Sequence, residues 1–303
     1  MSRVFQGSES YERRVVGPVV TVGNFDGVHL GHRALLGRLA EQAAAAGTIG
    51  AIVTFDPPPV ELLAPERARP RIQTLDDRVA MLTDLGFDVI VETFDRAYAA
   101  HGARWFAEEV LSARLGASAV LVGWDFRFGH GREGDTASLR AMLPVTVTSF
   151  GPWRQGDFVI SSSAIRKAVL AGDVVEAAGW LGRPHRVVGT VVPGDGRGRT
   201  IGFPTANVAA RTPLLPAHGV YAVRLVVGGE ALPAVMNYGS RPTFGGGAPT
   251  FEVHVLDRTL DLYGQDVGVD LISRVREERK FAGVDALVAQ IGQDVAAARS
   301  LLG

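Results

Sequence analysis

The stretch TVGNFDGVHLGHRALLGRL, residues 21–39, decides the fold of the first half of the chain. It begins in a β-rich run and ends in an Ala- and Leu-rich run, so it predicts a strand that turns into a helix. Three glycines between the two runs, Gly23, Gly27 and Gly31, permit a tight turn in which the backbone can approach a ligand closely. A helix N-terminus offers unpaired N–H groups and a partial positive charge, so we expect this junction to bind phosphate.

Two histidines, His29 and His32, lie at the same junction. They could donate hydrogen bonds to a phosphoryl group as negative charge develops on it. A bare His-x-x-His pattern is more often a pair of surface histidines on a glycine turn. A histidine pair without a further ligand is also a poor zinc site.

The composition is that of a globular protein of two domains. The chain has 303 residues, of which 47% are hydrophobic and 21% charged, and it contains no cysteine. Disulfides, thiolate metal sites and cysteine nucleophiles are therefore excluded. A formal net charge of −1 argues against a nucleic-acid partner. Without a signal-peptide pattern or an apolar stretch long enough to span a bilayer, we expect a cytoplasmic protein with no membrane partner, a monomer or weak homo-oligomer.

The predicted secondary structure differs between the two halves of the chain. The first half alternates strand and helix patterns, which predicts a Rossmann-like α/β domain with a parallel sheet whose ligands bind at the carboxyl ends of the strands. After about residue 183, short strand patterns separated by Gly- and Pro-rich turns predict a small antiparallel β-barrel, closed by an amphipathic C-terminal helix. We therefore predict domains at residues 1–183 and 184–303, with the helical stretch SSSAIRKAVLAGDVVEAAGWLG ending the first.

A second glycine-rich string, GDGRGRTIGFPTANV, spans residues 194–208. Its glycines next to Arg197 and Arg199 could surround phosphates with N–H groups and guanidinium. Thr205 and Asn207 are hard oxygen ligands of the kind that bind Mg²⁺ shared with a nucleotide. For the Gly-Arg part alone, a hairpin turn is an equally good interpretation.

Several motifs resemble one enzyme family in the same order. GNFDGVHLGH contains the H-x-G-H signature of nucleotidyltransferases and resembles the FAD synthetase module of bacterial riboflavin kinase/FAD synthetases. The stretch VGWDFRFGHGREGD resembles the second nucleotide and flavin loop of that module, and ISSSAIR resembles its I-S-S-T-x-I-R element, with Ser163 where Thr is usual. The string ending in GFPTAN resembles the G-R-x-x-G-F-P-T-A-N motif of riboflavin kinases, and MNYGSRPTFGG and FEVHVLDRTLDLYG also resemble that family. As a lone string, SSSAIR would more often be a helix N-cap.

The resemblance implies an enzyme that phosphorylates riboflavin to FMN and then adenylylates FMN to FAD, with ATP and Mg²⁺. It implies transition-state stabilisation by His29 and His32 without a covalent intermediate, and a base role for Glu252. A glutamate on a strand would otherwise be taken as solvated. The nucleotide-binding residues it implies are Gly23, Asn24, Phe25, Asp26, Gly27, Gly31, Asp125, Arg127, Ser161, Ser162, Ser163, Arg166, Gly194, Gly198, Arg199, Thr200, Gly202, Pro204, Thr205 and Asn207. The flavin-binding residues are Asp56, Phe126, Phe128, Asn237, Arg241 and Arg276, and the metal ligands are Thr205 and Asn207.

One departure from the family pattern leaves an alternative open. TFDPPP stands where the family usually has T-F-D-P-H-P, so Pro58 replaces a histidine with a residue that neither donates a hydrogen bond nor carries charge. The alternative is a riboflavin kinase whose N-terminal domain is degenerate or regulatory. A nucleotidyltransferase acting on a sugar phosphate or a pantetheine phosphate would explain GNFDGVHLGH but would leave GFPTAN without a purpose.

Overall fold

The computed structural model describes residues 2–194, 196–239, 250–258 and 260–303. The chain forms two compact units: Met1–Arg69 with Leu75–Ser161, and Pro70–Thr74 with Ser162–Gly303. The helical stretch that the sequence analysis placed at the end of the first domain belongs, from Ser162 on, to the second unit. The domain boundary after residue 183 stays a prediction.

The first unit contains a six-stranded sheet in which every neighbouring pair is parallel. Its strands are β1 (Val4–Gln6), β2 (Val19–Val22), β3 (Gly50–Asp56), β4 (Asp88–Thr93), β5 (Ala119–Gly123) and β6 (Thr146–Phe150). Their order is β1-β4-β3-β2-β5-β6. The chain therefore runs from β2 through β3 to β4 on one side and places β5 and β6 on the other. This reversal opens a crevice between the carboxyl ends of β2 and β5, where α/β sheets of this type bind ligands.

Helices cover both faces of this sheet, because its central strands are apolar on both sides. The helices are α1 (Leu30–Ala45), α2 (Pro59–Leu63), α3 (Leu75–Asp84), α4 (Arg96–Ala99), α5 (Ala103–Trp105), which continues as a π-helix over Phe106–Arg114, and α6 (Thr136–Met142). On one face Val19 packs with Leu36 of α1 and Leu82 of α3. On the other face Val20 packs with residues of the π-helix and α6. After β6 a small antiparallel hairpin forms from β7 (Arg154–Gln155) and β8 (Phe158–Val159).

The second unit is built around a closed antiparallel barrel with the strand order β10-β13-β12-β11-β14-β9. Its elements are α7 (Ser162–Ala171), α8 (Val174–Leu181), β9 (His185–Val192), α9 (Arg197–Thr200), β10 (Ala206–Ala210), β11 (Gly219–Val227), β12 (Glu230–Gly239), β13 (Thr250–Val255), β14 (Asp266–Arg276) and α10 (Val284–Leu302). Alternate residues such as Tyr221, Met236 and Phe251 fill the interior of the barrel. The parallel α/β sheet, the antiparallel barrel and the C-terminal helix predicted from the sequence are confirmed.

The C-terminal helix α10 packs on the outside of the barrel. Its Ala298 and Leu302 join Val220 and Val235, which point outward from β11 and β12. Along the described part of the chain, no helix has the length and apolar character needed to cross a membrane.

Candidate active sites

The two histidines of the first glycine-rich turn form one stacked pair. Their ring centroids are 3.6 Å apart and the ring planes differ by 15°. His29 is the N-cap of α1, and its Nδ1 accepts a hydrogen bond of 3.2 Å from the backbone N–H of His32. Because Nδ1 is an acceptor, the proton of a neutral His29 ring lies on Nε2, which makes Nε2 the hydrogen-bond donor. The pair therefore stands at the positive end of a helix of 16 residues.

The surroundings of His32 favour a neutral ring. Burial, the neighbouring His29 and the guanidinium of Arg78 lower the pKa of the His32 imidazole well below its usual value. Its Nδ1 is buried and has no hydrogen-bond partner among the described residues. A neutral imidazole has one N–H, so His32 can stabilise negative charge without carrying a fixed positive charge in the free protein.

The turn before the histidines contains strained backbone. Phe25 has φ 49° and Val28 has φ 39°, values that residues with side chains rarely adopt, and a β-branched residue least of all. Both side chains are buried in the core between the sheet, α1 and α3, so packing stabilises a turn that local preference opposes.

Gly31 lies where a side chain would be crowded. A Cβ at this position would be 3.2 Å from Cε1 and Nδ1 of the His29 ring and 3.3 Å from Cβ of Trp153, so these neighbours would have to move by a few tenths of an ångström. The glycine predicted for phosphate approach thus also allows the first helical turn to pack closely against the segment that precedes β7.

The site contains a buried arginine that the sequence analysis missed. Arg78 on α3 is 2% exposed. One of its NH groups donates to the carbonyl oxygen of Asn24 at 2.9 Å, and the other to that of Phe55 at 3.2 Å. It thus joins the glycine turn after β2 to the end of β3. The signal was present in the sequence, since Arg78 occupies a position between Leu75 and Leu82 in the apolar face of its helix.

Aromatic side chains gather at the carboxyl ends of β3 and β4. The ring of Phe55 lies 5.6 Å from Phe94 and 6.1 Å from Tyr98. Burial, together with the carboxylate of Glu92, raises the pKa of the Tyr98 hydroxyl, whose oxygen is buried without a hydrogen-bond partner in the described structure. Asp56, which follows Phe55, is joined to Pro57 by a cis peptide bond.

Two predicted flavin residues lie in the loop after β5. The rings of Phe126 and Phe128 stack with centroids 5.3 Å apart and planes 13° apart. Both pack on the same core as Phe55 and Tyr98. Between them lies Arg127, which donates to the carbonyl oxygen of Phe126 at 3.1 Å, and Asp125 precedes Phe126. The sequence analysis did not include Phe94 or Tyr98, although FDRAYAAHGARW after β4 is rich in aromatic residues.

The remaining predicted residues of this site lie at the start of α7. Ser161 belongs to the first unit, whereas Ser162, Ser163 and Arg166 belong to the second. The Nε of Arg166 donates to the carbonyl oxygen of Pro70 at 2.8 Å within the second unit. Their role in nucleotide binding stays a prediction.

In the second unit, three predicted residues occupy one row across three strands. Asn207 of β10 is opposite Glu252 of β13, and Glu252 is opposite Asn237 of β12. Phe251 and Val253, on either side of Glu252, are 1% exposed and point into the barrel. Glu252 therefore lies on the outer face, as its alternation with these residues predicts. Since neighbouring strands are about 4.8 Å apart, the row spans about 10 Å.

The glycine-rich loop packs directly against this row. A Cβ on Gly194 would lie 2.0 Å from Nδ2 of Asn207, so only glycine fits there. A Cβ on Gly198 would lie 2.2 Å from the carbonyl oxygen of Phe203 and 3.3 Å from Oγ1 of Thr205. Asn207 is 8% exposed, and its Oδ1 is buried without a hydrogen-bond partner among the residues described.

A cavity opens beside the same loop at the mouth of the barrel. Arg199, Pro204 and Thr205 line one side of it. Apolar residues form the rest of the wall together with Arg258 and Tyr263: Val191, Ala206, Val253, Val255, Leu260 and Leu262. The cavity is small, about 60 Å³, and places the cationic side chain of Arg199 beside an apolar wall. Thr200 and Gly202, also predicted to bind nucleotide, lie in and just after α9.

Arg276 is tied to the C-terminal helix. Its Nε and one NH group donate to both carboxylate oxygens of Asp294 at 2.8–3.1 Å, and its other NH group donates to the carbonyl oxygen of Glu277 at 2.9 Å. Asp294 is 3% exposed. The structure thus shows Arg276 as one half of a buried ion pair, and its predicted contact with flavin stays a prediction. Arg241 lies outside the described residues.

Comparison with known proteins identifies both units. A family model described as FAD synthetase matches residues 12–164, and one described as riboflavin kinase matches residues 181–302. The bifunctional riboflavin kinase/FMN adenylyltransferase of Escherichia coli (strain K12) is 42% identical over 292 residues, covering 95% of this chain and 93% of the relative. The protein of that name from Bacillus subtilis (strain 168) is 35% identical over 284 residues, covering 91% and 90%.

The fold is also shared with a solved structure. A protein described as a macrolide-efflux protein from Streptococcus pneumoniae has a TM-score of 0.89 and 30% identity, covering 98% of each chain. The two matched models define a transferase that joins a nucleotidyltransferase domain to a kinase domain. The chain belongs to the family of bifunctional riboflavin kinase/FMN adenylyltransferases.

Proposed function

We propose that the two reactions of this family occur at two separate sites of the chain, one in each unit. The chain phosphorylates riboflavin to FMN with ATP, and it adenylylates FMN to FAD with a second ATP. The kinase site is the row of Asn207, Glu252 and Asn237 with the adjoining glycine-rich loop. The adenylyltransferase site is the stacked pair of His29 and His32 at the start of α1.

In the kinase site, Glu252 is the general base. The 5′-hydroxyl oxygen of riboflavin attacks the γ-phosphorus of ATP, the bond to the β,γ-bridging oxygen breaks, and ADP leaves while Glu252 accepts the hydroxyl proton. What supports this role is the position of Glu252 on the outer face of β13, between two amide side chains. Arg199 and the N–H groups of the glycine-rich loop would bind the phosphates.

The residues present fit a magnesium ion. The unpartnered Oδ1 of Asn207 and the hydroxyl of Thr205 are hard oxygen donors that both lie against glycines of the glycine-rich loop. These two residues would hold Mg²⁺. When bound, the ion would neutralise charge on the phosphates.

In the adenylyltransferase site, a phosphate oxygen of FMN attacks the α-phosphorus of ATP and pyrophosphate leaves. The Nε2–H of His29 and the N–H of His32 donate to oxygens on which charge builds, and the first turn of α1 supplies backbone N–H groups. The aromatic group at the ends of β3 and β4, with Phe126 and Phe128 after β5, would bind the flavin ring by stacking. Asp56 lies beside this group.

The observation that carries this half of the proposal is the stacking of His29 on His32 at the N-terminus of α1. It argues against a merely regulatory domain, because the proline that replaces the usual histidine, Pro58, only precedes the short helix α2 and leaves the pair intact. Incubation with FMN, ATP and Mg²⁺, followed by chromatography for FAD and pyrophosphate, tests the activity. Formation of FMN from riboflavin without any FAD would favour the kinase-only alternative.

We also propose that the enzyme acts in the cytoplasm, on small molecules alone, as a monomer or weak homo-oligomer. The net charge of −1 supports the absence of a polyanionic partner. Light scattering coupled to size exclusion, with and without ATP, measures the oligomeric state.

A further inference from the structure

The segment that follows β6 brings a partly exposed tryptophan, Trp153, against the first turn of α1. Trp153 lies at the base of the β7–β8 hairpin, which is closed by a hydrogen bond of 3.0 Å from the Ile160 N–H to the Trp153 carbonyl oxygen. The Cβ of Trp153 lies 3.3 Å from the position of a Cβ on Gly31, which itself would be 3.2 Å from the ring of His29. Trp153 nevertheless remains 45% exposed.

The topology of the sheet indicates which part of the substrate Trp153 can contact. Phosphates are expected at the start of α1, which follows β2, and the crevice opens between β2 and β5. Phe55, Tyr98, Phe126 and Phe128, which we propose bind the flavin, pack on the sheet face opposite α1. Trp153 follows β6, whose last residue, Phe150, packs on the α1 face. The flavin and the nucleoside of ATP, which meet at the α-phosphate, would then extend to opposite sides of the histidine pair.

We propose that the indole of Trp153 stacks on the adenine base of the ATP that adenylylates FMN. This inference rests on the proposed adenylyltransferase function and adds a base-binding residue to it. A single exposed aromatic residue needs no explanation by itself, but this one is packed against the glycine of the phosphate-binding turn. Stacking on a tryptophan offers a large apolar face and no specific hydrogen bonds to the base.

The test is initial-rate kinetics of FAD formation, started from FMN so that the kinase reaction is bypassed. We expect Trp153→Ala to raise KM for ATP by about 5- to 150-fold, the range for loss of one stacked base. Trp153→Phe should raise it less, and kcat and KM for FMN should change little. Inorganic tripolyphosphate, which has no base, should inhibit wild type and Trp153→Ala with the same inhibition constant.

A matched control lies on the same hairpin. Phe158 is 42% exposed on the opposite strand, so Phe158→Ala tests whether disturbing the hairpin is sufficient to weaken ATP binding. An unchanged KM for ATP in Trp153→Ala would overturn the proposal, as would an equal rise in the inhibition constant of tripolyphosphate. If wild type makes no FAD, the adenylyltransferase function fails instead. Titration of tryptophan fluorescence with ATP then still decides this contact: the quenching should be smaller in Trp153→Ala than in wild type, and undiminished quenching would refute the contact.

Discussion

Glu252 and Asn207 lie directly opposite each other on neighbouring antiparallel strands of the barrel wall. Side chains in such a cross-strand pair are about 5 Å apart at Cβ, close enough to contact one substrate together. We expect Glu252→Gln to lower kcat for FMN formation by about 10²- to 10⁴-fold, because the hydroxyl of riboflavin loses its base. FAD formation from added FMN should be unchanged. Both rates can be measured by chromatography.

Asp266→Asn is a control for this prediction, since Asp266 is an exposed residue of β14 that pairs with Arg211 at 2.7 Å and lies outside the cavity lining. An exposed pair of this kind contributes little to stability, so both activities should survive. Equal loss of FMN formation in the two variants would contradict the role of Glu252.

His32→Ala should have the reverse effect. Removing one preorganised donor to developing charge typically lowers kcat by about 10²- to 10³-fold, so FAD formation should fall by that factor while riboflavin phosphorylation continues. Pyrophosphate release and ADP release, followed separately, measure the two reactions. A folded variant that lost both activities would refute the assignment to two sites.

The lowered pKa of His32 predicts an acid-sensitive fold. Below the usual pKa of about 6.5, the unfolded chain binds a proton at this residue that the folded chain does not bind. Stability should therefore fall as the pH drops from about 6.5 towards the folded pKa, by up to about 1.4 kcal/mol per pH unit, and should not depend on His32 above that range.

The pH dependence of stability is measured as the urea concentration at the midpoint of unfolding, for wild type and His32→Gln, between pH 7 and 5. Wild type should lose stability more steeply than the variant. Parallel curves would show that the ring is not kept neutral by its surroundings.

Arg78→Met should destabilise the first unit. It removes the guanidinium donor from the carbonyl oxygens of Asn24 and Phe55, at a cost of about 1–3 kcal/mol for a buried oxygen left unsatisfied. Asn24 keeps a longer bond of 3.4 Å from the Thr54 hydroxyl, so the larger loss is expected at Phe55. FAD formation should fall, because the glycine turn after β2 loses its connection to the end of β3. Thermal unfolding measures the loss of stability, and the two activity assays measure the loss of FAD formation. Arg78→Lys, which keeps one donor group, should be less affected than Arg78→Met. A variant with unchanged stability would show that the two bonds contribute nothing.

Gly31→Ala should impair FAD formation by forcing apart His29 and Trp153, since its Cβ would lie 3.2 and 3.3 Å from atoms of these residues. Gly37 in the same helix is the matched position, because a Cβ there meets nothing within 4 Å. Gly37→Ala should leave both rates unchanged and stabilise the helix by about 0.5–1 kcal/mol. If both variants made FAD at the wild-type rate, the contact at Gly31 would have no functional importance.

The fold could be predicted from the sequence because its two halves differ in pattern. Continuous apolar runs such as VVTV in β2 specify strands buried on both faces, and the alternation of Phe251, Glu252 and Val253 specifies a strand with one outer face. The motifs also located the histidine pair and the row around Glu252, since short-range spacing determines which side chains share a turn or a strand face.

The residues that were missed depend on long-range contacts. Arg78 is separated by more than fifty residues from Asn24, and no local pattern states which carbonyl a buried guanidinium will reach. The contact of Trp153 with Gly31 joins segments that are distant in the chain. The ion pair of Arg276 with Asp294 likewise depends on how α10 packs on the barrel, and the predicted contact of Arg276 with flavin stays a prediction.

The inward-facing side chains of the barrel are of two kinds. Tyr221, Met236 and Phe251 are at most 1% exposed and fill the interior, whereas Val253, Val255 and Leu262 also line the cavity beside Arg199. Residues of the first kind can be exchanged during evolution for other apolar residues of similar volume. An exchange of the second kind would also change the shape of the cavity, so these positions link the packing of the barrel to the choice of ligand.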